Sequence, residues 1–112
     1  MKLSAITART VDSTLNLVGE EVPVTFRPAV HTSAFEDEMR TAMAANDSLA
    51  MAGLLARLVV SVDISDDDGQ LIECTGESFY RLLPLEVMTE MWSAATEALR
   101  PGGTKGATSA AG

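Results

Sequence analysis

The chain has 112 residues, 46% of them apolar and 4% aromatic, and its 16 acidic against 8 basic side chains give a formal net charge of −8. That length favours one domain around an aliphatic core, with little surface left over for a deep cleft. The negative balance, with the basic residues scattered and no run of Lys or Arg, argues against nucleic acid and anionic membrane surfaces as partners, and the lone Cys74 excludes an internal disulfide and a cysteine-built metal cluster.

The N-terminus, Met1-Lys2-Leu3-Ser4, lacks the apolar segment of a secretion signal. Leu3 to Arg9 is a candidate strand. Ser13 to Val18 alternates, with Leu15 and Leu17 on one side. Val22 to Arg27 alternates again, with Val22, Val24 and Phe26 on one face. Gly19-Glu20-Glu21 between them supplies a turn, so the pair reads as a β-hairpin. Pro23 has no N–H to donate, which places its strand at an edge or turns its pairing side elsewhere.

Beyond Pro28, Ser33 and Glu36 have the spacing of a capping box, and Glu36-Asp37-Glu38 put acids in a first helical turn. Phe35, Met39, Ala42 and Met43 recur at helical spacing up to about Ala45. Asp47 or Ser48 caps a second helix, Leu49 to about Val60, apolar nearly all round. It is therefore central or covered by a partner. Val59 to Ile64 has an alternative reading as a strand. Asp66-Asp67-Asp68-Gly69 is a turn, and Gln70 to Cys74 reads as a short returning strand.

Thr75 or Gly76 starts a further helix that turns Phe79, Leu82 and Leu83 inward, and Pro84 separates it from the last one. In that last helix Leu85, Met88, Met91, Trp92, Ala95, Ala98 and Leu99 form an apolar stripe opposite Glu86, Glu90, Ser93 and Glu97. Pro101-Gly102-Gly103 stops it. Residues 101–112 hold no large apolar side chain, so a disordered tail is expected there. The fold class is α+β: an N-terminal hairpin or small antiparallel sheet, then a mostly helical core of about four helices. Residues 1–100 make a single domain and 101–112 the tail.

No constellation of catalytic or ligand-binding residues stands out. With Gly69 at the sixth position of a calcium loop, Asp66 and Asp68 fill the third and fifth, but Ile64 and Thr75 occupy the two end positions, where ligands are required. A solvated turn is the simpler reading. His31 and Cys74 have the residue types of a base and a nucleophile, but no signature of a cysteine enzyme surrounds Cys74. Gly-x-Ser-x-Gly elbows and phosphate loops are absent from the sequence. The chain is thus expected to be no enzyme, with no catalytic residue, cofactor or metal. Met39, Met43, Met51, Met88 and Met91 fall in expected helices. Met fills irregular cores, and it also lets a binding surface repack against a partner. Met88, Met91, Trp92 and Leu99 are the candidate partner-binding residues.

The run Leu58 to Gly69, followed by Thr75-Gly76-Glu77-Ser78-Phe79-Tyr80, Leu82-Leu83-Pro84 and a helix closing at Leu99-Arg100-Pro101, resembles the tail assembly chaperones of long-tailed bacteriophages. Phe26-Arg27-Pro28 at the end of the hairpin also fits, and the resemblance covers roughly residues 20–101. It implies a non-catalytic protein of the host bacterial cytoplasm that binds the tape-measure protein, helps recruit tail-tube subunits and leaves before the virion is complete. It also implies a longer, frameshifted form extended from the C-terminal tail, and it supplies no catalytic residues. The alternatives are a structural neck or tail-completion protein retained in the virion and, further off, a small hydrolase using His31 and Cys74.

Overall fold

A computed structural model describes residues 1–99. The tail expected over residues 101–112 lies outside the described residues. Strands β1 (Val11–Leu17) and β2 (Glu20–Phe26) pair antiparallel. Leu17 stands opposite Glu20, so Val18 and Gly19 alone form the loop, one residue earlier than the expected turn. Both have positive φ, 53° and 76°, as the two-residue hairpin loop with the correct twist requires. Glycine adopts this backbone freely, whereas a β-branched residue is strained there by roughly 1–2 kcal/mol. Val18 is fully exposed and so gains no packing in exchange. Val18→Asn should therefore stabilise the chain by about 1 kcal/mol, read as a higher urea midpoint at unchanged m-value.

The sheet order is β1-β2-β3, with β3 at Val59–Val62. The second of the two readings of that segment therefore holds. It also makes β2 the central strand, so of the two outcomes expected from Pro23 the edge position is excluded and the side lacking a donor is turned where no ladder bond is needed. The Pro23 carbonyl accepts from the Asp63 N–H at 2.9 Å. In an antiparallel ladder a residue's N–H and C=O point to the same neighbour. The donor that Pro23 lacks would thus face β3, opposite Asp63, and β3 ends one residue short of that position. The ladder to β1 is untouched, because Pro23 and Thr14 face each other as a pair that exchanges no hydrogen bonds.

A second irregularity explains the burial pattern of β3. Thr25 pairs with Ser61 but Phe26 with Val59, which leaves Val60 as the extra residue of a bulge. Val59 and Val62, three apart, are both buried while Val60 faces solvent. Simple alternation would have put them on opposite faces.

Two expected strands are not strands. Leu3–Thr7 is a short helix, α1, none of whose residues is buried. Residues 70–74 form no strand; Ser65 and Leu71 make an isolated bridge, flanked by bonds from Asp66 N–H to the Gln70 carbonyl at 2.8 Å and from Ile72 N–H to the Ile64 carbonyl at 2.9 Å. The Asp turn between them is held by Asp66, whose Oδ1 accepts from the N–H groups of Asp68 at 2.9 Å and Gln70 at 3.0 Å.

A 3₁₀ turn at Pro28–Val30 leads to α2 (Ser33–Ala44). Its N-cap is Thr32, whose hydroxyl accepts from Phe35 N–H at 3.2 Å. That is one residue before the expected cap, so the capping box on Ser33 does not form and Glu36 pairs with His31 instead. At the other end Asn46 adopts φ 52°. Asn46 N–H donates to the Met43 carbonyl at 3.1 Å and Asp47 N–H to that of Ala42 at 2.9 Å, the two bonds of a Schellman stop. Asp47 then caps α3 (Ser48–Leu58), its Oδ1 accepting from Ala50 N–H at 3.0 Å. One residue thus closes one helix and opens the next.

Thr75 caps α4 (Gly76–Leu82), and the Pro84 carbonyl accepts from Val87 and Met88 N–H groups to start α5 (Leu85–Leu99). Helix α2 packs on α3, α3 on α4, and α5 against β1. One core joins the sheet to the helices. At its centre are Phe26, Phe35 and Phe79, which are the only phenylalanines in the chain, with Leu15, Leu55, Leu58 and Met91. The fold is α+β: a three-stranded antiparallel sheet with α2 and α3 inserted between β2 and β3 and with α4 and α5 after β3.

Candidate protein-binding groove

Helices α2 and α5 flank two hollows that meet at Trp92. The first, about 350 Å³, is lined by Ala42, Met43, Asp47 and Met51 from the α2–α3 corner and by Leu85, Met88, Thr89 and Trp92 from α5. The second, about 300 Å³, is lined by His31, Phe35, Glu36 and Met39 on one side and by Trp92, Thr96 and Leu99 on the other. Together they make an apolar groove along α5.

Local sequence explains each wall. In α5 the residues facing the groove, 85, 88, 89, 92, 96 and 99, recur at three and four, one stripe of a helix. On the opposite wall the Asn46 stop turns the chain so that Met43, before it, and Met51, after it, reach the same hollow. The groove also leaves large apolar side chains in water: Leu85 is 76% exposed and Met43 61%. Isolated exposed apolar residues are ordinary, and it is the pairing of two of them at one concave surface that makes this groove the candidate site.

The four candidate residues on α5 divide. Met91 is fully enclosed in the core and offers a partner no surface. Met88 is nearly buried but lines the first hollow, Leu99 lines the second, and half-buried Trp92 lines both. Met39, Met43 and Leu85 complete the walls. Each was recognisable as an apolar helix position, but nothing in the sequence says that α2 and α5 face each other.

A larger hollow, about 590 Å³, lies on the other side of the α2–α3 corner. Its walls are mostly small or charged residues, among them Ala45, Ala50, Gly53, Asp37 and Asp47. The Glu38–Arg57 ion pair at 3.1 Å involves two further residues of its lining. Leu54, its one large apolar residue, is buried, so the hollow has volume without an exposed apolar anchor. Size alone is a poorer guide to a protein-binding site than exposed Met, Leu and Trp.

His31 and Cys74 each have other partners. His31 pairs through Nε2 with Glu36, and its ring stands edge-on to Phe35 at 5.9 Å. Burial pushes the Cys74 thiol above its ordinary value, and a hydrogen bond with the Val62 backbone pulls it partly back. A raised pKa leaves less thiolate, the reactive form. Alkylation of Cys74 at pH 8 should therefore run slower in the folded chain than in urea; equal rates would show a freely accessible thiol. Among the described residues no three His, Cys, Asp or Glu side chains converge as a metal site would need. No described helix is long and apolar enough to cross a membrane. Compared with known proteins, the chain matches no family model, no curated protein and no solved structure.

Proposed function

We propose that this chain is a non-catalytic binding protein of the bacterial host cytoplasm, a phage tail assembly chaperone that engages the tape-measure protein and promotes assembly of the tail tube. The observation that carries the binding half of this reading is the α2–α5 groove, with Leu85 and Met43 left in water at one end and Trp92 at its centre. Apolar groups exposed in a concave surface lower their free energy when another protein covers them. The chaperone half rests on the resemblance carried by residues 20–101. The negative charge supports a partner with basic segments over nucleic acid.

Two measurements test the reading. Co-expressed with the tape-measure protein encoded beside it, the chain should co-purify with that protein; failure of the two to associate removes the chaperone assignment. Mass spectrometry of purified virions should then find no copies of the chain. Stoichiometric retention would favour a neck or tail-completion protein instead.

A further inference from the structure

Taking as given that the chain works by binding protein, we infer that the α2–α5 groove accepts one amphipathic α-helix with basic flanks, which places apolar side chains seven residues apart in the two hollows on either side of Trp92. The spacing of the hollows carries the argument. Leu85, Met88 and Thr89 line the first and Thr96 and Leu99 the second, with Trp92 common to both. Thr89 and Thr96 are seven residues apart on one helix, a rise of about 10 Å at 1.5 Å per residue. A partner helix lying along α5 repeats that rise between its own residues i and i+7, which share a face. An extended strand does not match it. At about 3.3 Å per residue its same-face side chains fall roughly 6.6 or 13 Å apart.

Charge selects among helices. Glu36 and Asp47 line the groove, and among the described residues no Lys or Arg lines either hollow. The one basic type present, His31, is paired with Glu36. Lys or Arg on the polar shoulders of the partner helix would meet these carboxylates, whereas an acidic helix would be repelled. The same consideration disfavours a second copy of this chain, which would bring a like-charged rim against its own. Residues 101–112 fit no better, because they contain only Pro, Gly, Thr, Lys, Ala and Ser and so have no large apolar side chain to place in a hollow.

The test uses the full chain and three synthetic peptides of about 18 residues, long enough to run the four turns of α5. One carries Leu or Met at helical spacing with Lys and Arg elsewhere. The second has the same composition in alternating order. The third replaces the basic residues by Glu. Trp92, the only tryptophan, reports occupancy by fluorescence. The first peptide should bind at least about tenfold tighter than either control, and more weakly as salt is raised. Met43→Glu and Leu85→Glu change exposed side chains, so both variants should keep the parent melting temperature while losing at least about tenfold in affinity.

Equal binding of the alternating peptide overturns the helix, and equal binding of the acidic one overturns the charge rule. Unchanged affinity in both variants overturns the groove. A concentration-dependent dimer in sedimentation that Leu85→Glu dissolves assigns the groove to a second copy and overturns the proposal in another way. The two readings fail separately. Peptide binding without tape-measure association removes the chaperone assignment alone. Tape-measure association that survives Met43→Glu and Leu85→Glu removes the groove alone.

Discussion

Phe35→Ala should cost about 3–5 kcal/mol of folding stability, the largest effect expected of any single truncation in α2. The ring is fully buried, and removing it deletes both its transfer free energy and the contacts around the space left behind. Two further interactions depend on the ring. The His31 ring stands edge-on to it, and the Arg57 guanidinium lies 5.3 Å from its centroid. The last of these is a cation–π contact at an exposed guanidinium, of order 0.5–1 kcal/mol. It joins α2 to α3 beside the Glu38–Arg57 pair. Against a total stability of roughly 5–15 kcal/mol for a domain of this kind, the truncation leaves little margin.

The check is a urea titration. The midpoint should fall steeply with the m-value unchanged, and Phe35→Leu, which keeps much of the volume, should lose clearly less. A loss below about 1 kcal/mol for Phe35→Ala would mean that the site collapses around the deletion and is not a rigid part of the core. Because Phe35 also lines the second hollow, a folded Phe35→Ala chain should lose part of its affinity for a groove-binding helix as well.

How much of this was legible in the sequence depended on whether the information was local. The hairpin strands were legible because one face is buried and the other wet, so Leu15, Val22, Val24 and Phe26 alternate with polar residues. The caps at Asp47 and Thr75 were legible because capping needs particular side chains within three residues. Pro23 left two positions open because its missing donor says only that one side of one residue is unpaired. Where the neighbouring strand stops is decided elsewhere in the chain. Gln70–Cys74, expected as a short returning strand, found no extended partner, and a strand without a ladder does not persist.

The groove shows the same limit. The α5 stripe could be read residue by residue, yet the stripe has two destinations. Met91 enters the core, whereas Trp92, one residue and 100° further round the helix, reaches the groove. Only the approach of α2 separates the two, and that approach is fixed by the Asn46–Asp47 corner and by Phe35. Those residues are visible in the sequence as a stop and a core position, with no indication of what they face across the fold.

Gly76→Ala should destabilise the chain by about 2 kcal/mol, although helix propensity predicts the opposite sign. Gly76 is the first residue of α4, and in a helix interior Ala is favoured over Gly by about 1 kcal/mol. A Cβ at Gly76, however, would stand 2.6 Å from the Gly53 Cα, 3.0 Å from its nitrogen and 3.6 Å from the Ala52 carbonyl carbon. All three are backbone atoms of α3, so no side chain can rotate away. The helices must separate by most of an ångström, and Phe79 on α4 and Leu83 at its C-cap, both buried, must move with them. Overpacking of that kind costs roughly 1–3 kcal/mol, more than the propensity gain at a first-turn position.

Gly53 is the control on the other side of the same contact. A Cβ there meets nothing within 4 Å, so Gly53→Ala should be neutral or stabilising by up to about 1 kcal/mol. Two glycines at one helix crossing thus carry predictions of opposite sign, and paired thermal melts decide between them. If both substitutions stabilise, α3 and α4 are not in backbone contact. If both destabilise, the crossing is tight on each side and the open space beside Gly53 is closed in solution. The outcome bears on the groove too, since α3 carries Met51 into its first hollow. A chain whose α3 is displaced by Gly76→Ala should bind a groove-filling helix more weakly, while Gly53→Ala leaves that affinity unchanged.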